Sequence, residues 1–480
     1  MKTVKTLTTQ TPDKKISGLD NFFEISKRGS NLAAEIRGGI VTFFAMSYIL
    51  VINPIILSKA AGVNPAAVAA GTALIAGLMT ILMGVWANFP LAMAAGMGLN
   101  AMVAFTLCGP LNLTYAEAMG LIFWEGVLIT ILVLTGFREA VFKAIPSQLK
   151  VAISVGIGLF IAFIGLVDAG IIRATQAPPV QLGINGSLEG WPALVFVVGL
   201  ITTIILYVRK VRGAILIGIA SSTLLAVIIQ MFAHLPGRSA EAPTGWGITI
   251  PQLQGSPIAI PSFATLGQID FFGAFHKLGF VAVLLLVFSL MLADFFDTMG
   301  TMVAIGAEAG LLDKEGVPGR SRAILLVDSL SAIAGGLGGV SSNTAYVESS
   351  AGVGEGARTG LANIVTGVLF LLSMFFAPVV EIVPSEAATT ALVFVGFLMM
   401  TQVADIDWKN PEIAIPAFLT IVFMPFSYSI TVGIGMGFVS YFFIKLGRGK
   451  FRDIHPLMWI VSLLFMLYFV LGPVQQLLGS

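Results

Sequence analysis

The sequence predicts an all-α polytopic membrane protein: a transporter of two seven-span repeats inserted in opposite senses, with broken third and tenth spans and an extra C-terminal hydrophobic segment. Three observations carry this. Of 480 residues, 57% are hydrophobic and only 11% charged, against about 25% charged in soluble domains, and the mean hydropathy is +0.95. Apolar stretches recur at the length of about 20 residues that a helix needs to cross a bilayer. The second half of the chain repeats the order of features in the first.

The elements follow in order. The first 30 residues, "MKTVKTLTTQTPDKKISGLDNFFEISKRGS", are polar and basic. They lack the apolar core of a cleavable signal and read as a cytoplasmic tail with a short interfacial helix around "LDNFFEISK". Long candidate spans are 39–58, 66–87, 115–136, 148–167, 192–208, 213–233, 278–305, 321–337, 360–380, 387–403, 411–427, 430–446 and 457–477. Two shorter segments, "LAMAAGMGLNAMVAFTL" (91–107) and "SSNTAYVESSAGVG" (341–354), are dense in Gly, Ala and Ser. With both included, residues 39–446 hold fourteen spans and 457–477 is an extra one.

Charge supports that count through the positive-inside rule. With the N-terminus inside, the cytoplasmic connections carry Arg138/Lys143, Arg209/Lys210/Arg212, Lys314/Arg320/Arg322, Arg358, Lys409 and Lys445/Arg448/Lys450. The largest outer loop, 234–276, is Pro-rich and holds few basic residues. Dropping either short segment reverses every later loop. The expected location is therefore the inner or plasma membrane, multi-pass, with a cytoplasmic N-terminus.

The repeat is visible in aligned stretches. "AIPSQLKVAISVGIGLFIAFIGLVDAG" (144–170) matches "IVPSEAATTALVFVGFLMMTQVADID" (382–407). Each has Pro-Ser entering a helix and an Asp at its far end. Then 191–206 matches 410–424, and 213–228 matches 429–444. Seven spans is an odd number, so the second half enters from the opposite side. Such transporters place their site near the midplane, between interrupted segments at equivalent positions of the halves. Here those are the third and tenth spans. Irregular backbone at that depth is tolerated only inside protein or against a water-filled cavity, so the two segments should face each other within the bundle.

A charge at the bilayer centre costs roughly 2.5–3.5 kcal/mol on insertion scales, which makes the intramembrane polar groups informative. Asp294 and Asp297 lie in the eighth span, Glu348 in the tenth, Asn100 in the third, Asp328 in the ninth and Glu125 in the fourth. Asp294 and Asp297 are three apart and share a helix face, with Thr298 and Thr301 close to it. No Lys or Arg lies inside the membrane segments near these acids. An acid held out of water without a cation favours its neutral form. Such a group suits a proton carrier, or an acceptor for an N–H-rich ligand when ionised. Asp297 reads equally as a group bonding Asn100 or a threonine, Asp328 as a hydrogen bond between helices, and Glu125 as structural. Asp405 and Asp407 read as interfacial.

Several classes are disfavoured. Net charge is +1, which suggests no nucleic-acid partner. The lone Cys108 excludes an internal disulfide and reads as a small packing residue. The three histidines, His234, His276 and His455, are far apart, which argues against a metal cluster. There is no Walker motif and no nucleophile elbow, and "GGLGGVSS" (335–342) has no following Lys. The chain does not read as an enzyme or an ATP-driven pump.

Three stretches, "EIRGGIVTFFAMSYILVINPIILSKAAGV", "LADFFDTMGTMVAIGAEAGL" and "SSNTAYVESSAGVGEGARTGLANIVTG", resemble the AzgA-like purine permeases. These are the adenine and guanine/hypoxanthine permease branch of the nucleobase–cation symporter family, and the similarity runs from Phe22 onward. The resemblance implies the fold of the uracil permease. A core domain (31–137 and 277–381, spans 1–4 and 8–11) moves like an elevator against a gate domain (138–233 and 382–446, spans 5–7 and 12–14). The loop 234–276 lies outside the membrane, and 447–480 forms a C-terminal segment beyond the shared core.

The resemblance further implies import of adenine, guanine or hypoxanthine by proton symport, with the proton as coupling ion and no other cofactor. Matched by motif, Asp294, Glu348 and Asn100 bind the purine, while Asp297 and Asp328 serve coupling or gating. Some relatives carry Glu where Asp297 stands, which leaves the choice of purine open. Phe89, Phe105 and Phe296 are candidates to stack on the ring, though each also suits helix packing. A homodimer is compatible with the sequence. The alternative is a carrier of another small solute or anion on the same fold. An anion site calls for cationic or neutral groups, and Glu348 and Asp294 argue against it.

Overall fold

A computed structural model describes residues 18–478 except 61, 136–144, 176–178, 212, 240, 248, 253–255, 257, 314–316, 377–378 and 380–381. Most of the polar tail and the expected basic positions Arg138, Lys143, Arg212 and Lys314 lie outside the described residues. A short helix, Gly18–Phe23, lies where an interfacial one is expected. Phe23 and the following Ile25 are buried against Leu361, while Leu19 and Phe22 are exposed. Hydrogen bonds to Glu24 from Lys27 and then Arg28 hold its carboxyl below the usual range.

Among the described residues fourteen segments follow in the order expected of the spans, ten of them helices long and apolar enough to cross a membrane. The first runs Leu32–Met46 and, after a turn at Ser47–Tyr48, Ile49–Leu57, capped by Asn31 accepting from Ala34 N–H. The second, Pro65–Leu82, has Asn64 as its cap and Pro65 in its first turn, where a missing N–H costs nothing. It continues as a π-turn, Met83–Ala87, and ends at Asn88 with φ of 47°. The third is strand β1 (Met93–Ala95), helix Met97–Ala101 and π-turn Met102–Leu107. The fourth to seventh are Tyr115–Thr135, Ser147–Asp168, Trp191–Val208 and Ala214–Ala233. Between the fifth and sixth lies a hairpin of β2 (Ile172–Ala174) and β3 (Val180–Leu182).

The second half repeats this. The eighth and ninth spans are Phe280–Ala309 and Ser321–Gly338. The tenth is strand β4 (Asn343–Ala345) and helix Ser349–Gly354, and the eleventh is Gly360–Ser373 with a final 3-10 turn to Phe376. The twelfth comprises Ser385–Ala388, Thr390–Met400 and Thr401–Asp405. The thirteenth and fourteenth are Pro411–Ser427 and Ile430–Gly447. The extra segment is a helix, Pro456–Leu478, packed on the fourteenth and eighth spans.

The inverted repeat appears in which spans touch. The fourth packs on the ninth as the eleventh packs on the second. The sixth packs on the seventh as the thirteenth on the fourteenth, and the first on the eleventh as the eighth on the fourth. Three pairs map onto themselves: second with ninth, fifth with twelfth, and β1 with β4. The last is antiparallel, Met93 opposite Ala345 and Ala95 opposite Asn343. The two broken spans thus meet inside the bundle, as expected, and they do so as a two-stranded sheet. That pairing satisfies backbone groups which lipid could not.

Small residues let the second and eleventh spans cross backbone to backbone. A Cβ on Gly360 would stand 2.6 Å from both C and Cα of Gly84. Lipid-facing surface falls mainly on the sixth and seventh spans, where Ile201, Ile205, Leu224 and Met231 are exposed.

Candidate functional site

Strand β4, through Thr344 and Ala345, lines a cavity of about 1400 Å³. Its polar wall comes from the first, third, eighth and tenth spans: Tyr48, the backbone at 96–99, Asp297, and residues 344–348. Its apolar wall comes from Ile157 and Ile161 of the fifth span and Phe394, Val395, Leu398 and Met399 of the twelfth. The mouth is rimmed by span ends, Ser147, Lys150, Lys210, Glu308, Gly354 and Asp405. It lies on the face that carries the N-terminal helix, since Arg28 and Ser30 bond the carbonyls of Arg358 and Gly356 in the turn after the tenth span.

Glu348 directly precedes the short helix of the tenth span and faces the cavity. The Tyr48 hydroxyl donates to its Oε1 at 2.5 Å. Asp297 is half-buried and lines the same cavity. Among the described residues neither acid is ion-paired.

Behind this wall lies a second, fully buried layer. Asp294, Asn100, Asp328 and Glu125 have 0–1% exposure. Asp294 stands beside the Thr344 hydroxyl, with neither carboxylate oxygen completing a hydrogen bond. Thr298 Oγ1 donates to Asp328 Oδ1 at 2.7 Å and contacts Thr344 Oγ1 at 2.8 Å. Each hydroxyl carries one hydrogen. With Asp328 accepting from Thr298, Thr344 supplies the second bond and both hydroxyls point toward Asp328. Were Asp328 to carry a proton and donate, the chain would reverse and Thr344 would turn to Asp294. Asn100 leaves both its amide atoms unpartnered, as does Asn343 of β4. Glu125 accepts from Ser342 at 3.4 Å through Oε1 and leaves Oε2 unpartnered. Among the described residues no group of three His, Cys, Asp or Glu side chains is arranged to hold a metal ion.

The structure therefore gathers all five expected residues around the strand pair, in two layers. Glu348 and Asp297 border the cavity. Asp294 and Asn100, expected at the ligand, are one layer deeper with Asp328, because Asp294 is turned away from the cavity that Asp297 reaches. Phe89 is buried elsewhere, and Phe105 packs against Tyr428 with ring centroids 5.7 Å apart, away from the acids; the Phe296 side chain lies outside the described residues. Two participants were not expected at the site from the sequence. Tyr48 is one tyrosine in an apolar run, and Glu125 reaches the cluster only because the fourth span packs on the eighth and ninth.

A profile of the family described as "Permease family", whose short name denotes xanthine and uracil permeases, matches residues 33–466. The chain is 39% identical over 466 residues to the guanine/hypoxanthine permease PbuG of Bacillus subtilis, covering 94% of this chain and 99% of that one. It is also 39% identical over 464 residues to the adenine permease AdeP of Escherichia coli, covering 96% and 98%. Among solved structures, the transmembrane domain of the bicarbonate transporter BicA from a cyanobacterium superposes with a TM-score of 0.57 at 16% identity, covering 85% of this chain and 97% of that one. That last likeness concerns the fold alone.

Proposed function

The chain belongs to the xanthine/uracil permease family and is a multi-pass membrane transporter, and we propose that it imports a purine nucleobase, adenine, guanine or hypoxanthine, by proton symport. One observation supports this above the others: two carboxylates without cation partners, Glu348 and Asp297, face an apolar wall across one cavity. A purine is flat, neutral and rich in N–H donors. The wall of Phe394, Leu398 and Ile157 suits its ring, and the acids accept its N–H groups through charge-assisted bonds, which are roughly twice as strong as neutral ones. An anion would meet two negative groups there.

In this reading Glu348 and Asp297 touch the purine. Asp294 and Asn100 stand behind them and, with Asp328, hold the strand pair and the coupling proton. The hydroxyl chain through Thr298 and Thr344 suits that task, since its direction follows the proton on Asp328. The division of labour is a core of spans 1–4 and 8–11 carrying the strand pair, which slides against a gate of spans 5–7 and 12–14 carrying the apolar wall. The N-terminus is placed in the cytoplasm of a cell with the protein in its plasma membrane, so the cavity described opens inward.

The test is uptake of radiolabelled adenine, guanine, hypoxanthine, xanthine and uracil in a permease-deficient cell, with and without a protonophore. Saturable uptake of at least one purine at micromolar concentration, lost with the protonophore, is expected. If no purine is taken up or competes, the substrate class is wrong; purine uptake indifferent to the protonophore removes proton coupling alone.

A further inference from the structure

We propose that Tyr48 is a positioning residue for the substrate: it occupies one oxygen of Glu348 and leaves the other, in a fixed direction, for the ligand. This rests on Glu348 as the purine acceptor. Tyr48 has no exposed surface and sits at the turn between the two helices of the first span. Its backbone is anchored, because its carbonyl accepts from the N–H groups of Val51 and Ile52 at 3.0 Å each. A phenol has one hydrogen to give, and here it goes to Oε1 at 2.5 Å. Among the described residues no second side chain donates to Glu348. An unrestrained glutamate would swing among rotamers and offer both oxygens. Held by Tyr48, it presents one acceptor at one place, in the cavity that Asp297 also lines. The site then recognises two N–H donors on separate edges of a ring rather than a bidentate pair on one edge.

Tyr48→Phe keeps the ring and removes the donor. The expected result is a rise in KM of about tenfold, the size of one charge-assisted bond, with maximal rate within about twofold and unchanged protein in the membrane. The ranking of purine analogues that lack one N–H should change as well, because the freed carboxylate can rotate to a new donor. A purely structural tyrosine would lower the amount of protein and leave KM and ranking alone, and that result overturns the proposal. Glu348→Gln, run beside it, separates the two ideas. Normal KM in Glu348→Gln removes the substrate reading, whereas a dead Glu348→Gln with unaltered Tyr48→Phe removes only the positioning role.

An independent observation assigns Lys59 and Asp168 to the transport step. They sit at the ends of the first and fifth spans, on the side of the protein opposite the cavity mouth, and pair at 2.7 Å with Asp168 buried. Lys59 also lies 5.8 Å over the Phe105 ring, and Phe105 and Phe160 both meet Tyr428, at 5.7 and 5.4 Å. Arg238 of the long loop donates to the Asp168 carbonyl at 3.0 Å and to Glu386 at 3.4 Å. In the repeat, with Pro146 aligned on Pro384, Asp168 falls opposite Ile406, and the acid just before that position is Asp405. It is exposed at the open mouth, where Glu308 at the end of the eighth span is an acid and, among the described residues, no lysine stands between the eighth and ninth spans. Among the described residues the latch is thus on one end only, and it favours the conformation described here.

Its test uses the cavity-lining Ser154. In intact cells carrying Cys108→Ser and Ser154→Cys, a membrane-impermeant maleimide should label slowly. Adding Lys59→Met should raise the rate at least fivefold, and the swapped pair Lys59→Asp with Asp168→Lys should lower it again. Equal rates in all three proteins overturn the latch.

Discussion

Glu348→Gln is expected to abolish purine uptake, lowering it at least a hundredfold, while the protein still reaches the membrane. Loss of charge is one cause. A hydrogen bond to an ionised group contributes about 1.5–3 kcal/mol, so one lost bond accounts for roughly ten- to a hundredfold, at 1.36 kcal/mol per tenfold. The second cause is polarity. Tyr48 donates to Oε1, so a glutamine keeps its amide oxygen there and turns its NH2 toward the ligand. A donor then faces the purine's own N–H. Substitution thus converts an attraction into a clash of like partners, which is worse than an empty site. Glu348→Asp keeps the charge but draws it back by one methylene, and should retain measurable uptake with a raised KM. The measurement is initial uptake against membrane protein quantified on the same cells. Undiminished uptake in Glu348→Gln would sink the assignment of Glu348 to the site.

Gly360→Leu is expected to remove most of the folded protein from the membrane. The second and eleventh spans touch through main chain at Gly84 and Gly360, where an added Cβ meets backbone C and Cα at 2.6 Å. The crossing continues at Gly77 and Gly367, where a Cβ on Gly367 would stand 2.6 Å from the Gly77 carbonyl oxygen. Backbone atoms cannot rotate aside as a flexible side chain can, so the helices must separate. Overpacking typically costs about 1–3 kcal/mol, occasionally more. Membrane helices have no hydrophobic drive to offset a lost close approach. The expected outcome is a fall in monodisperse, detergent-extracted protein to below about a tenth of the parent, with a lower melting temperature in what remains. Gly319→Ala is the control, since nothing lies within 4 Å of its added Cβ. A Gly360→Leu protein as abundant and heat-stable as the control would refute the crossing.

The architecture was legible because membrane insertion is decided segment by segment. Apolar run length marks the long spans, and Pro-Ser helix starts at Ser147 and Ser385 reveal the repeat. Gly, Ala and Ser mark the broken segments, since they cannot drive insertion alone. What those segments become was hidden: β1 and β4 pair across the chain, and no local pattern in three residues announces a strand. The acids were legible as a set and not by position. Residues three apart on an α-helix differ by about 60° in direction. That is close enough to share a face and far enough for Asp297 to border the cavity while Asp294 turns into the protein. Which of two such acids meets the open space depends on the neighbouring spans. Glu125 read as structural for the same reason, because its approach to Asp294 and Asp328 is made by tertiary contact.

The antiparallel pairing of Met93–Ala95 with Asn343–Ala345 also governs how the protein can be made. Chains grow at about 5–20 residues per second, so the roughly 250 residues between the strands take on the order of tens of seconds to synthesise. Throughout that interval β1 has no partner, and its N–H and C=O groups cannot be left in lipid. The third span must wait at the translocon, in an aqueous vestibule or with an insertion chaperone, while later helices enter around it. A chain stopped before Asn343 already contains nine spans with β1 still unpaired, and the site forms only in the late step that joins the two repeats through β4.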